Sequence, residues 1–342
     1  MKKLFFLLLV IVMIGTAVFG CTKSEPSPAQ VIELKYYTNF PPDTGPSKEG
    51  QIFADVVSKA SNGRIKITVY PAEQLGKASA TLDLLKSGAT DMAALSNPMF
   101  PTVFPLQNLQ ELALAVVPDW VTATKVRDEL TLGGYLQGFD DLKFLGWNTL
   151  RPMYFWLKKK VVKAEDFNGL KLRTPNPVQL APFQQFGVTT VAMPMGDVYM
   201  SLERGVIDGA LNPPENAMAN KWYEITKFGL AQPIAYGSTS MVISKSKWDS
   251  LPADIRQIIE KAVSEWRSQT TKYYQDYEKS AIDTMTKAGV EIYKLDSAEV
   301  ARWKGLEKPV IDSEAARIET STGLPAKAMV EKLNQIASKD TK

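Results

Sequence analysis

Residues Val31 to Leu95 read VIELKYYTNFPPDTGPSKEGQIFADVVSKASNGRIKITVYPAEQLGKASATLDLLKSGATDMAAL, and the order of signals in this stretch decides the fold. From Val31 to Thr38 apolar and polar residues alternate in part, the period of a strand with one buried face. Pro41, Pro42 and Gly45 then force a loop. Ser47 can cap a helix whose apolar residues Ile52, Phe53, Val56, Val57 and Ala60 fall on one face, and Asn62 and Gly63 stop it. Arg64 to Tyr70 alternates again. A second helix runs from about Ala78 to Ser87 and ends at Gly88, and Met92 to Leu95 is a short strand. This alternation of strand and helix is the grammar of an α/β lobe built on a largely parallel sheet.

The grammar returns further along. Strands are expected near Lys143 to Asn148, Leu170 to Arg173 and Thr189 to Met193, and helices near Pro177 to Phe186 and Asp197 to Arg204. One spacing occurs in both halves. Leu85, Gly88 and Asp91 lead into a buried strand and then Asn97; Leu202, Gly205 and Asp208 lead into another and then Asn212. In open α/β sheets ligands sit at the carboxyl ends of strands, so the repeated spacing puts one polar side chain from each half where a ligand would be. From Pro252 a helical pattern continues to about Lys287, with Ile255, Ile259, Ala262, Trp266, Tyr273, Tyr277 and Met285 in its apolar stripe. That length fits either one strut or two helices with a break. A strand near Val290 to Lys294 and helices up to about Ala337 follow.

At 342 residues the chain suits two lobes of ordinary domain size. Lys and Arg total 40 against 37 acids, a near balance that gives no electrostatic footprint for nucleic acid. Histidine is absent, which removes the commonest general base and metal ligand. The lone cysteine, Cys21, forms no internal disulfide and no cysteine zinc site. It follows Lys2, Lys3 and an apolar run from Leu4 to Phe19, the charged head and apolar core of an export signal. Val18, Phe19, Gly20 and Cys21 resemble the bacterial lipoprotein box, in which the cysteine is lipidated and becomes the new N-terminus, although Phe19 departs from the usual small residue. Residues 1–20 are therefore expected as a leader and 21–30, rich in Ser, Pro and Thr, as a tether.

From Gly146 to Glu224 the chain carries Gly169, Leu170, Lys171, Leu172, Arg173, Thr174, Pro175, Asn176, then Met193, Asp197, Val198, Tyr199, Leu202, Gly205, Asp208, Gly209, Asn212 and Pro213. Tyr70, Pro71, Gln74, Leu75 and Gly76 precede them. In order and spacing this set resembles the substrate-binding subunits of TRAP transporters, the tripartite ATP-independent periplasmic carriers, in their dicarboxylate-binding-protein family. The resemblance implies an α/β, two-lobed periplasmic-binding-protein-like fold with a central cleft, crossing hinge strands near Asn148 and Ser238 and a long helix spanning both lobes. Lobe I would hold residues 31–147 with about 237–278, and lobe II residues 148–236 with about 279–338.

The resemblance also implies site roles. Arg173 would pair with a ligand carboxylate, a task its planar, permanently charged fork suits. Arg151 matches a second supporting arginine, with a structural salt bridge as the alternative; the run Pro152, Met153, Tyr154, Phe155, Trp156 after it reads as strand core rather than pocket. Asn212 would hydrogen-bond the ligand, and Met195 stands where relatives place an aromatic. Asn39, Lys77, Ser96 and Asn97 would meet the rest of the ligand, and Trp147 and Tyr236 are candidate cleft walls, with packing as the alternative.

The implied protein is a monomeric receptor without cofactor. It would bind a small organic anion, work with integral membrane subunits and touch the membrane only through its lipid. A binding protein for an ABC importer or a sensor shares the fold. An exported hydrolase fits less well, because the chain has no G-x-S-x-G elbow, no histidine for a triad and no phosphate loop. C4-dicarboxylates, keto acids, sugar acids and aromatic acids all remain open as ligands.

Overall fold

The structure, a computed structural model, describes residues 31–339 apart from 114–116, 118, 149, 150 and 238. The expected leader, the tether with Cys21, and Ser238 of the expected hinge lie outside the described residues. The strands are β1 (Ile32–Tyr37), β2 (Ile65–Tyr70), β3 (Met92–Leu95), β4 (Leu142–Trp147), β5 (Arg151–Leu157), β6 (Lys171–Thr174), β7 (Thr189–Ala192), β8 (Gly209–Asn212), β9 (Phe228–Gly237), β10 (Ser240–Ser244) and β11 (Glu291–Tyr293). They form two sheets, ordered β2-β1-β3-β10-β4 and β11-β9-β5-β8-β6-β7.

The sheets are mixed rather than largely parallel, for a topological reason. In the first, β1 pairs parallel with β2 and β3, while β10 runs antiparallel to β3 and β4. In the second, β6 pairs parallel with β7 and β8, while β5 runs antiparallel to β8 and β9. The reversed strands, β5 and β10, are the ones that follow directly on a strand of the other sheet. A chain crossing with only two or three intervening residues enters the new sheet at the end where its other strands finish, so it must run backwards. The two crossings lie side by side, and the backbone N–H of Asn148 donates to the carbonyl of Thr239 at 2.9 Å. The carboxyl ends of the forward strands and the amino ends of β5 and β10 thus gather in one place.

The helices are α1 (Gly45–Ala60), α2 (Thr81–Ser87), α3 (Pro105–Ala113), α4 (Trp120–Leu132), α5 (Ala181–Gln184), α6 (Val198–Glu203), α7 (Pro214–Ala219), α8 (Lys245–Ser250), α9 (Ala253–Lys287), α10 (Ser297–Thr322) and α11 (Ala326–Lys339). Ser47 is not the cap of α1. Thr44 holds the N-cap position, Pro46 presets the first turn, and the Ser47 hydroxyl instead donates to the carbonyl of Phe40 at 2.8 Å. The long helix α9 is one unbroken element of 35 residues. It packs on α1 and β4 toward one sheet and on α7 and β11 toward the other. Its buried stripe passes through Thr270, Tyr274 and Ala281, so Tyr274 rather than Tyr273 or Tyr277 faces inward.

Phe53, Val57, Ile65, Met241 and Trp266 make the core beneath the first sheet, and Phe155, Phe167, Leu172, Phe183 and Trp303 the core beneath the second. Full burial of each such side chain is worth roughly 1.5–3 kcal/mol. A third core joins α3 and α4 to α10 and α11 through Leu109, Val126, Ile311, Met329 and Leu333. Sequence periodicity alone does not place α3 or α4. No described helix is long and apolar enough to cross a membrane.

Candidate functional site

A cavity of about 220 Å³ opens where the strand ends converge. Asn39 and Phe40 follow β1, Ser96, Pro98 and Met99 follow β3, and Gly237 and Thr239 flank the second crossing. From the other sheet come Arg151 and Met153 of β5, Arg173 and Pro175 at the end of β6, Met193 and Met195 after β7, and Asn212 with Pro213 at the end of β8.

Local sequence explains why Arg173 points here. Gly169 takes a positive φ of 76°, turning the chain into β6, and Pro175 closes the strand. Along a strand successive side chains face opposite ways: Leu172 enters the core beneath the sheet and Arg173 the cleft. Arg173 is 3% exposed. Its Nε and Nη2 donate to the carbonyl of Met193 at 3.1 and 2.9 Å, which fixes the plane of the fork. Among the described residues Nη1 has no hydrogen-bond partner and Arg173 makes no ion pair. Burial pulls its pKa down to about 10, so the group is still a cation at neutral pH.

Asn212 lines the same cavity from β8, the strand next to β6. Its carbonyl accepts from the Trp156 indole at 2.9 Å and its side-chain oxygen from Asn216 at 3.3 Å. Among the described residues its buried Nδ2 has no partner, and neither has the buried Thr239 hydroxyl. A buried donor without an acceptor costs free energy comparable to a lost hydrogen bond. Arg173 Nη1 and Asn212 Nδ2 therefore form a pair of donors waiting for acceptor oxygens.

Arg151 is different. Its Nη1 lies 2.9 Å from Glu215 Oε1, with both side chains buried, and its guanidinium stacks 4.9 Å from the Tyr274 ring centroid. Burial works against its charge, while Tyr274, Glu215 and Glu49 more than restore it. Gly45 makes room for this group: a Cβ there would stand 2.8 Å from Arg151 Nη1, and the residue has a φ of +22°. Arg151 lines the cleft, yet its charge is already answered inside the fold.

Of the residues expected from the sequence, Arg173, Arg151, Asn212, Asn39, Ser96 and Met195 line the cavity. Four others are placed elsewhere. Lys77 has an 84% exposed side chain paired to Glu73 at 3.1 Å. The Asn97 side-chain oxygen accepts from the Ser240 hydroxyl at 3.1 Å, away from the lining. Trp147 donates to Thr131 at 2.7 Å beneath the Arg127 guanidinium, in the third core. Tyr236 donates to the carbonyl of Val117 at 3.3 Å and borders a separate cavity with Pro152 and Tyr154.

Met153, read as core, lines the cleft as well, because it alternates onto the same face of β5 as Arg151. Glu111 was not anticipated. It reaches the lining from α3 and accepts from Asn176 at 3.2 Å and Gln179 at 2.9 Å. No local signal marks it, since its place depends on how α3 docks.

The family model of the bacterial extracellular solute-binding proteins, family 7, matches residues 38–317. The chain is 29% identical over 326 residues to the C4-dicarboxylate-binding periplasmic protein DctP of Rhodobacter capsulatus, covering 92% of this chain and 96% of that protein. It is 29% identical over 251 residues to the 2,3-diketo-L-gulonate-binding periplasmic protein YiaO of Escherichia coli, covering 70% and 74%. Among solved structures it superposes with a TM-score of 0.81 on a TRAP solute-binding protein of a marine metagenome, described as specific for aromatic acid ligands and holding 3-hydroxybenzoate, at 25% identity over 92% of this chain and all of that one. With a matched model spanning most of its length and a fold shared throughout, the chain belongs to family 7 of the bacterial extracellular solute-binding proteins, the DctP family of TRAP transporter receptors, and is a binding protein rather than an enzyme.

Proposed function

We propose that this receptor takes up a small organic acid by its carboxylate, with Arg173 as the anchor and Asn212 beside it. The observation that carries the reading is the buried, unpartnered Nη1 of Arg173 in the cleft lining. A carboxylate supplies the missing counter-charge and accepts charge-assisted hydrogen bonds. Arg151, paired with Glu215, holds the floor of the cleft and is not the primary anchor. Asn39 and Ser96 meet the ligand from the first sheet and Met195 from the second.

The experiment is calorimetry on the mature domain, after a thermal-shift screen of organic acids has found a ligand. Arg173→Ala should cost roughly 2–5 kcal/mol of binding, and Arg173→Lys should rescue part of it, because an ammonium keeps the charge without the fork. Unchanged affinity in a folded Ala variant would remove Arg173 from the site.

We assign lobe I to residues 31–147 with about 237–278 and lobe II to 148–236 with about 279–338, closing about the crossings as the ligand bridges both sides. An unchanged radius of gyration on saturation with ligand would count against closure. The protein acts as a monomer held at the cell envelope by lipid on Cys21. Mass spectrometry of membrane-extracted protein tests this, and an unlipidated N-terminus beyond Cys21 would refute it.

A further inference from the structure

We infer that the bound acid carries a single carboxylate on a largely apolar body, and that dicarboxylates and sugar acids are poor ligands. The inference rests on the reading of Arg173 as carboxylate anchor and narrows it.

The first support is a count of charges. Two arginines line the cleft, but Arg151 is matched by Glu215 at 2.9 Å. That leaves Arg173 as the single uncompensated cation among the described lining residues. The remaining charged liner is an acid, Glu111. A second carboxylate on the ligand would therefore meet neutral groups, Asn39 and Ser96 among them, or the acid Glu111, and no second uncompensated cation among the described lining residues. Burying an unpaired charge is far more costly than burying a neutral group.

The second support is the chemistry of the wall. Met99, Met153, Met193 and Met195 all line the cavity, together with Phe40 and Pro213. Thioethers are soft and polarizable, adapt to irregular apolar shapes and donate no hydrogen bonds. A hydroxyl on the ligand can donate to the unpartnered Asn216 Oδ1, and a hydroxyl or keto oxygen can accept from the Thr239 hydroxyl. Asn39 and Ser96 add polar contacts from the first sheet, while the methionines, Phe40 and the lining prolines offer the hydroxyls of a sugar acid no strong partner. At about 220 Å³ the cavity is below the ~300–1,000 Å³ of drug-sized pockets, so the body is small.

The test is calorimetry of the mature chain with four probes, 4-methylpentanoate, 3-phenylpropionate, succinate and galacturonate, repeated on Arg173→Ala and on Arg173→Met, which better preserves the packed volume. The expected result is that at least one of the two apolar monocarboxylates binds tenfold or more tightly than succinate and galacturonate, and that both variants lose this binding. If succinate or galacturonate binds as tightly or more tightly, and that binding is lost in the variants, the specificity inference is overturned while the anchor stands. If no probe binds, or if binding survives in a folded variant, the anchor reading fails and takes the inference with it.

Discussion

Arg151 and Arg173 stand on strands either side of β8, are 6% and 3% exposed, and line the same cavity. They differ in where the opposing charge comes from. Glu215 on α7 answers Arg151 within the fold, and Tyr274 of α9 covers its face. Arg173 has one backbone carbonyl for Nε and Nη2 and, among the described residues, no acceptor for Nη1. The same residue type at similar depth thus does two jobs: a guanidinium completed by the protein braces the fold, and one left incomplete recognises a ligand. Burial alone would not separate them, and neither would the sequence motif, since the family resemblance gives both a carboxylate-binding role.

The sharpest way to break this comparison is to remove the paired arginine. Arg151→Ala leaves Glu215 buried without a counter-charge and should cost about 3–5 kcal/mol of folding stability. Denaturant melts of the ligand-free protein measure it. Replacing both partners with apolar residues of similar volume, Arg151→Met with Glu215→Leu, should recover most of that loss, because no charge is then stranded. If Arg151→Ala leaves stability intact and abolishes binding, Arg151 is a ligand arm and the division of labour is wrong.

Acids offer the same contrast. Glu215 is buried beside a cation, whereas Glu307 of α10 is 3% exposed and, among the described residues, has an unpartnered Oε2 and only Lys304 acting in its favour as a carboxylate. Burial pushes its pKa from an ordinary 4.5 up to about 8. The native protein then keeps a proton that the unfolded chain gives up near pH 4.5. Its contribution to stability is fully present below that value and is lost as pH rises through about 8. Glu307→Gln, which cannot ionise, should match the parent at pH 4 and exceed it at pH 8 by of order 1–3 kcal/mol. Melting temperatures at the two pH values check it, and a parallel pH dependence in both proteins would mean that Glu307 is not the group responsible.

How far the sequence can be read follows the range of the interactions. Strands β1 to β3 and β6 to β8 were legible to within a residue or two, because alternation and their closing Gly and Pro residues are local. The repeated Leu, Gly, Asp spacing, with an asparagine after each strand, pointed to both Asn97 and Asn212, and one of them lines the cleft. Asn212 is the last residue of β8, still in the sheet and aimed along its face. Asn97 lies two residues past the end of β3, in a turn that directs its side chain to Ser240 on the neighbouring β10. The reversal of β5 and β10, the inward face of Met153 and the arrival of Glu111 from α3 all depend on which distant segments pair. Lys77 shows the converse: it follows directly on the motif from Tyr70 to Gly76, and its side chain turns back to Glu73 four residues before it.

The smallest effect is also the most diagnostic, and it concerns the stability of the ligand-free protein when Arg173 is replaced. Its guanidinium is desolvated without a counter-charge, so in the empty protein it brings two hydrogen bonds to Met193 and the cost of a buried cation. These terms oppose one another. Arg173→Met, which keeps most of the volume, should shift the unfolding free energy by no more than ~1 kcal/mol, with a gain as acceptable as a loss. Saturating ligand should put the parent clearly ahead, since only the parent is stabilised by binding, by about 2.7 kcal/mol at a hundredfold excess over Kd. A loss of several kcal/mol in the empty variant would show that the protein already compensates Arg173, and would place it with Arg151 as a brace of the fold.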